Sequence, residues 1–138
     1  MDNVSMETLF MTIELKNNVF AVPAKHTLGI VKWDRSIPYT VLPQERENVK
    51  GIMEMDDQFV TIVNIPGTYE NGYGFDSSIV VLGYGGQNIG ILTKEARLIT
   101  ISEDKILEDK ITGTKFFEQE GKMYIILDIG QLYEELGI

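Results

Sequence analysis

The chain contains no cysteine in its 138 residues. That absence removes disulfides, thiolate nucleophiles and cysteine-based zinc sites together, and it fits a reducing compartment. Histidine is nearly absent as well. A Ser-His-Asp triad has only His26 to draw on, and a site built from several histidines is impossible. His26 lies in PAKHTLGIV and reads as a surface or capping histidine. No apolar run approaches the roughly 18 residues that span a bilayer. The opening MDNVSMETLF has neither a basic n-region nor an apolar h-region, so no secretory signal is read there. Basic charge is scarce too: Lys and Arg number 12 against 21 Asp and Glu, a net charge of −9. With no run of Lys or Arg, that balance repels nucleic acid and the anionic face of a membrane. The expectation is a cytoplasmic protein without nucleic-acid partners and without membrane insertion.

What is present is an ordinary globular composition, 43% hydrophobic and 24% charged, in a length that predicts one domain over residues 1–138. The ordered body is expected over 8–137, and the chain is long enough to bury a core without staples. Patterning is mostly period two. Met11, Ile13 and Leu15 share one face of a strand whose other face carries Thr12, Glu14 and Lys16. Asn17-Asn18 predicts a tight hairpin turn with positive φ into Val19–Val22, and Pro23 ends that strand. Leu28, Ile30 and Val31 suggest a short helix weakened by Gly29. Trp33 to Gln44 reads as irregular, punctuated by Pro38 and Pro43.

Val49–Met55 and Gln58–Ile65 predict two strands joined through Asp56-Asp57. The near-continuous apolar run in the second argues for cover on both faces. PGTYENGYGFDSS, residues 66–78, is the one long flexible loop; its Tyr69, Tyr73 and Phe75 belong to a mobile flap or a binding loop. Ile79–Tyr84 and Asn88–Thr93 form a hairpin about Gly85-Gly86. Arg97–Ile101 is a further strand, and Lys115–Glu118 pairs with Met123–Leu127 across Glu120-Gly121. Ile129, Leu132, Tyr133 and Leu136 fall at i, i+3, i+4 and i+7, one stripe of a C-terminal helix stopped by Gly137. Nine or ten short strands with frequent turns predict an all-β barrel or sandwich. VKGIMEMDDQFVTIVNI at Val49 is faintly echoed by ITGTKFFEQEGKMYIILDI at Ile111, which suggests two related β units.

Little of this carries catalytic chemistry. Glu54, Asp56 and Asp57 make an acidic turn, but hairpin turns favour Asp and solvated acids need no partner; no EF-hand or paired-carboxylate pattern surrounds them. GYGGQNIG at 83–90 lacks the Lys-Ser/Thr ending of a phosphate loop and reads as a hairpin turn. Ser77, Ser78 and Ser102 have no activating pair beyond the lone His26. No catalytic residue, metal or cofactor is expected.

The residues resemble the CheW-like domain of bacterial chemotaxis coupling proteins over about residues 9 to 137. FMTIELKNNVFAVPA is similar to that family's opening hairpin and following short helix. Leu42-Pro43 and Val49-Lys50-Gly51-Ile52 are similar to its apolar-X-Gly-apolar signature. QFVTIVNI stands at its central apolar strand, IVVLGYGGQNIGIL at a hairpin with a Gly-apolar-apolar run, and ITGTKFFEQEGKMYIILDIGQLY at its closing hairpin and helix. The resemblance implies a fold of two small five-stranded SH3-like barrels around a shared apolar core, with a short C-terminal helix. It also implies a non-enzymatic adaptor that bridges a chemoreceptor signalling tip to a CheA-type histidine kinase, with protein partners and no small-molecule substrate.

On that resemblance Leu28, Ile30, Val31, Gly51, Ile52 and Met53, with Asp56 and Asp57 of the turn, lie at or near a receptor groove, where Gly51 lets backbones approach closely. The kinase contact falls to the other barrel, at Ile89, Ile91 and their neighbours. Each of these apolar residues has the alternative of being core. The sequence departs from the family at the turn, where Asn-Leu-Arg-Gly is replaced by Glu54-Met55-Asp56-Asp57, so Asp56 reverses a positive charge. The family's Asp-Leu-Arg strand end is Asn64-Ile65-Pro66 here. Gly29 stands where an acid is common, and Lys94 where Asp is common. Charge reversal at an interface changes partner choice, so the alternatives are an interaction module for a different signalling partner, or an oligomerising scaffold.

Overall fold

Strands form almost everywhere that apolar residues alternate with polar ones. The computed structural model describes residues 6–41, 48–68 and 77–138; Leu42-Pro43 and the aromatics Tyr69, Tyr73 and Phe75 lie outside the described residues. The elements in chain order are β1 (Glu7–Glu14), β2 (Val19–Pro23), β3 (Thr27–Lys32), β4 (Tyr39–Val41), β5 (Val49–Met55), β6 (Gln58–Val63), β7 (Ser78–Tyr84), β8 (Gln87–Thr93), β9 (Leu98–Ser102), β10 (Leu107–Glu108), β11 (Lys115–Gln119), β12 (Lys122–Ile126) and the helix α1 (Ile129–Leu136). Single 3-10 turns, Ala24–His26 and Glu103–Lys105, precede β3 and β10.

Two sheets result, in the orders β10-β11-β12-β2-β1-β9 and β3-β7-β8-β6-β5-β4. They are the sheets of two small SH3-like barrels. Each has six strands by this count, because a two-residue β10 and a three-residue β4 extend one end. The two orders become identical when β1–β6 are matched with β7–β12. The chain is therefore two six-strand halves that exchange elements. The first barrel takes β1 and β2 from the first half and β9–β12 from the second; the second barrel takes the reverse. Each is closed in the middle by a parallel pair, β12 with β2 and β6 with β8. The faint echo in the sequence coincides with this repeat of strand order. Its two segments are the β5–β6 and β11–β12 hairpins, with Met53 and Phe117 wholly buried at matching places.

Alternation assigns each buried apolar residue to one of three cores. In β7, Ile79 and Val81 face the interior of the second barrel, while Val80 and Leu82 face the layer between the barrels. In β1 and β2, Phe10 and Ala21 face the first barrel's interior, and Met11, Ile13, Phe20 and Val22 join the same shared layer. This two-sided burial explains the near-continuous apolar runs. Each fully buried Ile or Val contributes about 1.5–3 kcal/mol relative to exposure. The polar seam is closed by Thr93, also wholly buried. Its hydroxyl accepts from the Glu14 N–H at 2.8 Å and donates to the Glu95 carbonyl at 2.7 Å, tying β8 to β1.

Helix α1 forms where the sequence pattern places it. Asp128 caps it by accepting from the Gln131 N–H at 3.0 Å, and Gly137 stops it in the left-handed conformation, φ 69°. All four stripe residues, Ile129, Leu132, Tyr133 and Leu136, enter the shared core. Three sequence expectations are corrected. Residues 27–32 are strand rather than helix, since β-branched Ile30 and Val31 alternate exposed and covered beside β7. Asn17 and Asn18 lie in a wider loop with no positive φ, spanned by a bond from the Leu15 N–H to the Asn18 carbonyl at 2.9 Å. The segment read as irregular contains β4.

Tyr133 locks the helix to the second barrel: its hydroxyl donates toward the Gln87 and Leu82 carbonyls, at 2.9 and 3.2 Å. Burial pushes its phenol up to about 12. A folded value above the unfolded one, 10.0, means this group's stabilisation is complete below pH 10 and is lost as pH rises through 12. Tyr133→Phe is expected to lower stability by about 1 kcal/mol at neutral pH, with the gap to the parent narrowing between pH 10 and 12. Denaturant titrations across that range check it; a gap that widens or stays constant contradicts the buried-phenol assignment.

Candidate functional site

Among the described residues no group of three or more His, Asp or Glu is placed to hold a metal ion. No helix among the described residues is long and apolar enough to cross a membrane. The surface instead offers exposed apolar side chains and three two-residue hairpin turns.

The eight groove candidates divide by strand geometry. β3 is an edge strand, and its Leu28 and Ile30 are 61% and 46% exposed. Leu28 sits at a bulge over Gly83, where an added Cβ would come within 3.0 Å of its Cδ1. Val31 turns inward and packs on the second barrel's core. Across the sheet, Ile52 is half-buried, and Met53 is wholly buried in that same core. Gly51 is buried where chains approach closely. A Cβ there would lie 2.5 Å from the Thr40 carbonyl oxygen and 2.6 Å from the Tyr39 ring, so only glycine fits. Asp56 and Asp57 are exposed at the β5–β6 tip with φ of 48° and 62°.

The register shows how these residues relate. Ile30 pairs with Val80, which pairs with Ile91, which lies beside Val63. Ile52 pairs with Thr61, which lies beside Ile89, which pairs with Leu82. Ile30 and Ile52 thus share one face of the second sheet, but the middle of that face is sealed under the first barrel. The candidates flank the inter-barrel seam on two sides instead of lining one groove.

The same ladders correct the kinase-contact candidates: β8 lies in the second barrel together with the receptor-groove candidates of β3 and β5, not in the other barrel. Ile89 and Ile91 are 0% and 2% exposed and belong to the shared core. Their place in a central strand between β7 and β6 puts their side chains beyond a partner's reach. Of their hairpin, Tyr84 at 45% exposure and the Gly85-Gly86 turn remain at the surface.

Sequence reasoning missed two features. One is the inter-barrel cavity, about 580 Å³, lined by His26, Tyr84 and Pro66 on one side and Gly130 and Gln131 of α1 on another. Here His26 meets the Tyr84 ring edge-on at 5.9 Å, and Tyr84 lies against Tyr133 at 5.2 Å. The other is a pair of matched apolar positions. Phe59 and Met123 follow the equivalent turns and are 71% and 60% exposed, each across the ladder from a glutamate, Glu54 and Glu118. Period-two alternation would have hidden both inside their strands; aligning the echoed segments on their turns would have exposed them.

The sequence model for the CheW-like domain matches residues 9–136. No curated protein matches the chain. Among solved structures, the crystal structure of the scaffolding protein TtCheW from Thermoanaerobacter tengcongensis is similar, with a TM-score of 0.78 and 20% identity over 94% of each chain. At that identity the likeness is one of fold.

The acidic turn gives a direct test of local strain. Two consecutive L-residues with positive φ are disfavoured, whereas Asn-Gly suits this turn type. Replacing Asp56 with Asn and Asp57 with Gly together is expected to stabilise the protein by about 1 kcal/mol, read by chemical denaturation. A loss of stability would show that the two carboxylates hold the turn through contacts the strain argument omits.

Proposed function

The chain belongs to the CheW-like domain family, and from that membership we propose that it is a non-enzymatic adaptor of bacterial chemotaxis signalling. It joins a chemoreceptor signalling tip to a CheA-type histidine kinase in the cytoplasm. The observation that carries this reading is coverage. The family's pattern runs from residue 9 to 136, so nearly the whole chain is spent on the adaptor fold. The described residues supply exposed apolar side chains on two barrels and no cluster of metal-binding groups.

The receptor tip meets the edge strand β3 through Leu28 and Ile30, with Ile52 on the far flank and Asp56 and Asp57 at the adjoining turn. Val31, Gly51 and Met53 act beneath that surface by fixing the strands that present it. The exposed apolar side chains of Leu28 and Ile30 offer contact area to the apolar stripe of a helical partner. The kinase meets the exposed end of the β7–β8 hairpin, around Tyr84, over the buried Ile89 and Ile91.

A second reading is supported by the acidic turn, which is fully described and solvent-facing. Two carboxylates at this tip oppose an acidic partner and favour a basic one, which suits a different signalling partner with the same fold.

Calorimetry of the intact protein against the kinase docking domain and the receptor tip of its own organism separates the two. Micromolar binding to both is expected. Ile30→Asp is expected to weaken the receptor titration about tenfold, roughly 1.4 kcal/mol, while leaving the kinase titration unchanged. Binding to neither partner removes the coupling reading and leaves the second.

A further inference from the structure

The strand ladders divide at the middle of the chain. Among the described residues of the first half, β1 pairs with β2, β4 with β5 and β5 with β6. In the second half, β7 pairs with β8, β10 with β11 and β11 with β12. All of these join strands that are consecutive in the chain. The ladders that complete the two sheets are β1 with β9, β2 with β12, β3 with β7 and β6 with β8, and each takes one strand from either half.

Both barrel interiors are split the same way. Met53 and Val60 of the first half pack with Ile79 and Val81 of the second. Phe10 and Ala21 of the first half pack with Ile101 and Phe117 of the second. Residues 64–77, which join the halves, contain none of the ladder strands. Val63 lies beside Ile91, and Ile91 pairs with Val80. The strands that this segment joins therefore stand two ladder steps, about 10 Å, apart.

We infer that a second copy of this chain can supply either half, giving a dimer in which two chains exchange residues 78–138. Each unit of that dimer repeats the four cross-half ladders and the shared apolar layer. No contact is lost and no new surface is needed; only the path of residues 64–77 differs. Concentration decides between the two forms. Joined by a short segment, the halves of one chain meet at an effective concentration on the order of millimolar. The single chain wins at micromolar concentration, and the exchanged dimer gains as the protein approaches millimolar. Exchange opens all four ladders, so it takes place on refolding and is slow in the folded protein. The dimer gives the oligomerising alternative a physical form. It stands on strand pairing and is independent of the adaptor reading.

Two full-length variants test it. Met53→Asp puts a carboxylate into the first half and Phe117→Asp puts one into the second, both at wholly buried positions. Each variant alone is expected to unfold, because nothing pairs the buried charge. Refolded together at about 0.1 mM, they are expected to recover the folded Trp33 emission for one chain in two, in a species of two-chain mass. Its sound first half comes from the Phe117→Asp chain and its sound second half from the Met53→Asp chain. Emission equal to the mean of the separate variants, at single-chain mass, would overturn the inference. Should either variant fold alone, unlabelled and nitrogen-15 parent chains are refolded together at about 1 mM and read by native mass spectrometry. A dimer of mixed mass is expected, and its absence counts against exchange. The same chains mixed only after refolding are expected to stay apart. A mixed dimer formed there would mark association through outer surfaces and contradict the exchanged form.

Discussion

Everything in this molecule depends on the apolar layer shared by the two barrels. Met11, Ile13, Phe20 and Val22 from one sheet meet Val80, Leu82, Ile89 and Ile91 from the other, and α1 lays Ile129, Leu132, Tyr133 and Leu136 along the same seam. Neither barrel is made of one stretch of chain. Each borrows a hairpin from one half and four strands from the other, so neither half can close a barrel alone. The layer therefore fixes topology as well as stability. It also decides which apolar residues are left for partners, because any side chain that faces the seam is consumed by it.

That competition sorts the surface. Ile89 and Ile91 belong to the shared layer, while Ile30 in the same ladder row as Ile91 reaches the edge of the sheet and stays partly exposed. A row of alternating apolar residues looks uniform from end to end, but the neighbouring barrel covers only its middle. Binding residues on such a fold are the ends of core rows. The same logic makes Gly51 a structural residue whose effect on recognition is indirect: it lets β5 lie against β4 at a distance no Cβ tolerates.

Much of the fold was legible in the sequence, because strands and turns are written locally. Gly85-Gly86, Glu120-Gly121 and Asp56-Asp57 each adopt the positive φ that a two-residue hairpin demands, and the four-residue stripe of α1 is all buried. Short apolar runs were less legible. Leu28-Gly29-Ile30-Val31 fits a helix turn or a strand by composition, and pairing with β7 decides between them. Exchange of strands between halves left only the echo of two hairpins, since order within a sheet is a long-range property. The candidate site was half legible for the same reason. Exposure of Leu28 and Ile30 follows from an edge position, and burial of Met53, Ile89 and Ile91 from a central one, and neither position is encoded in the residues themselves.

The central claim, that one shared layer binds two intertwined barrels into a single cooperative structure, is tested most directly by equilibrium unfolding with a probe in each barrel. Trp33, the chain's one tryptophan, reports on the second barrel by fluorescence. Phe117 and Ile101 report on the first by nuclear magnetic resonance. Superposed transitions with one midpoint are expected. Two separated midpoints, with one barrel persisting after the other has melted, would contradict the account.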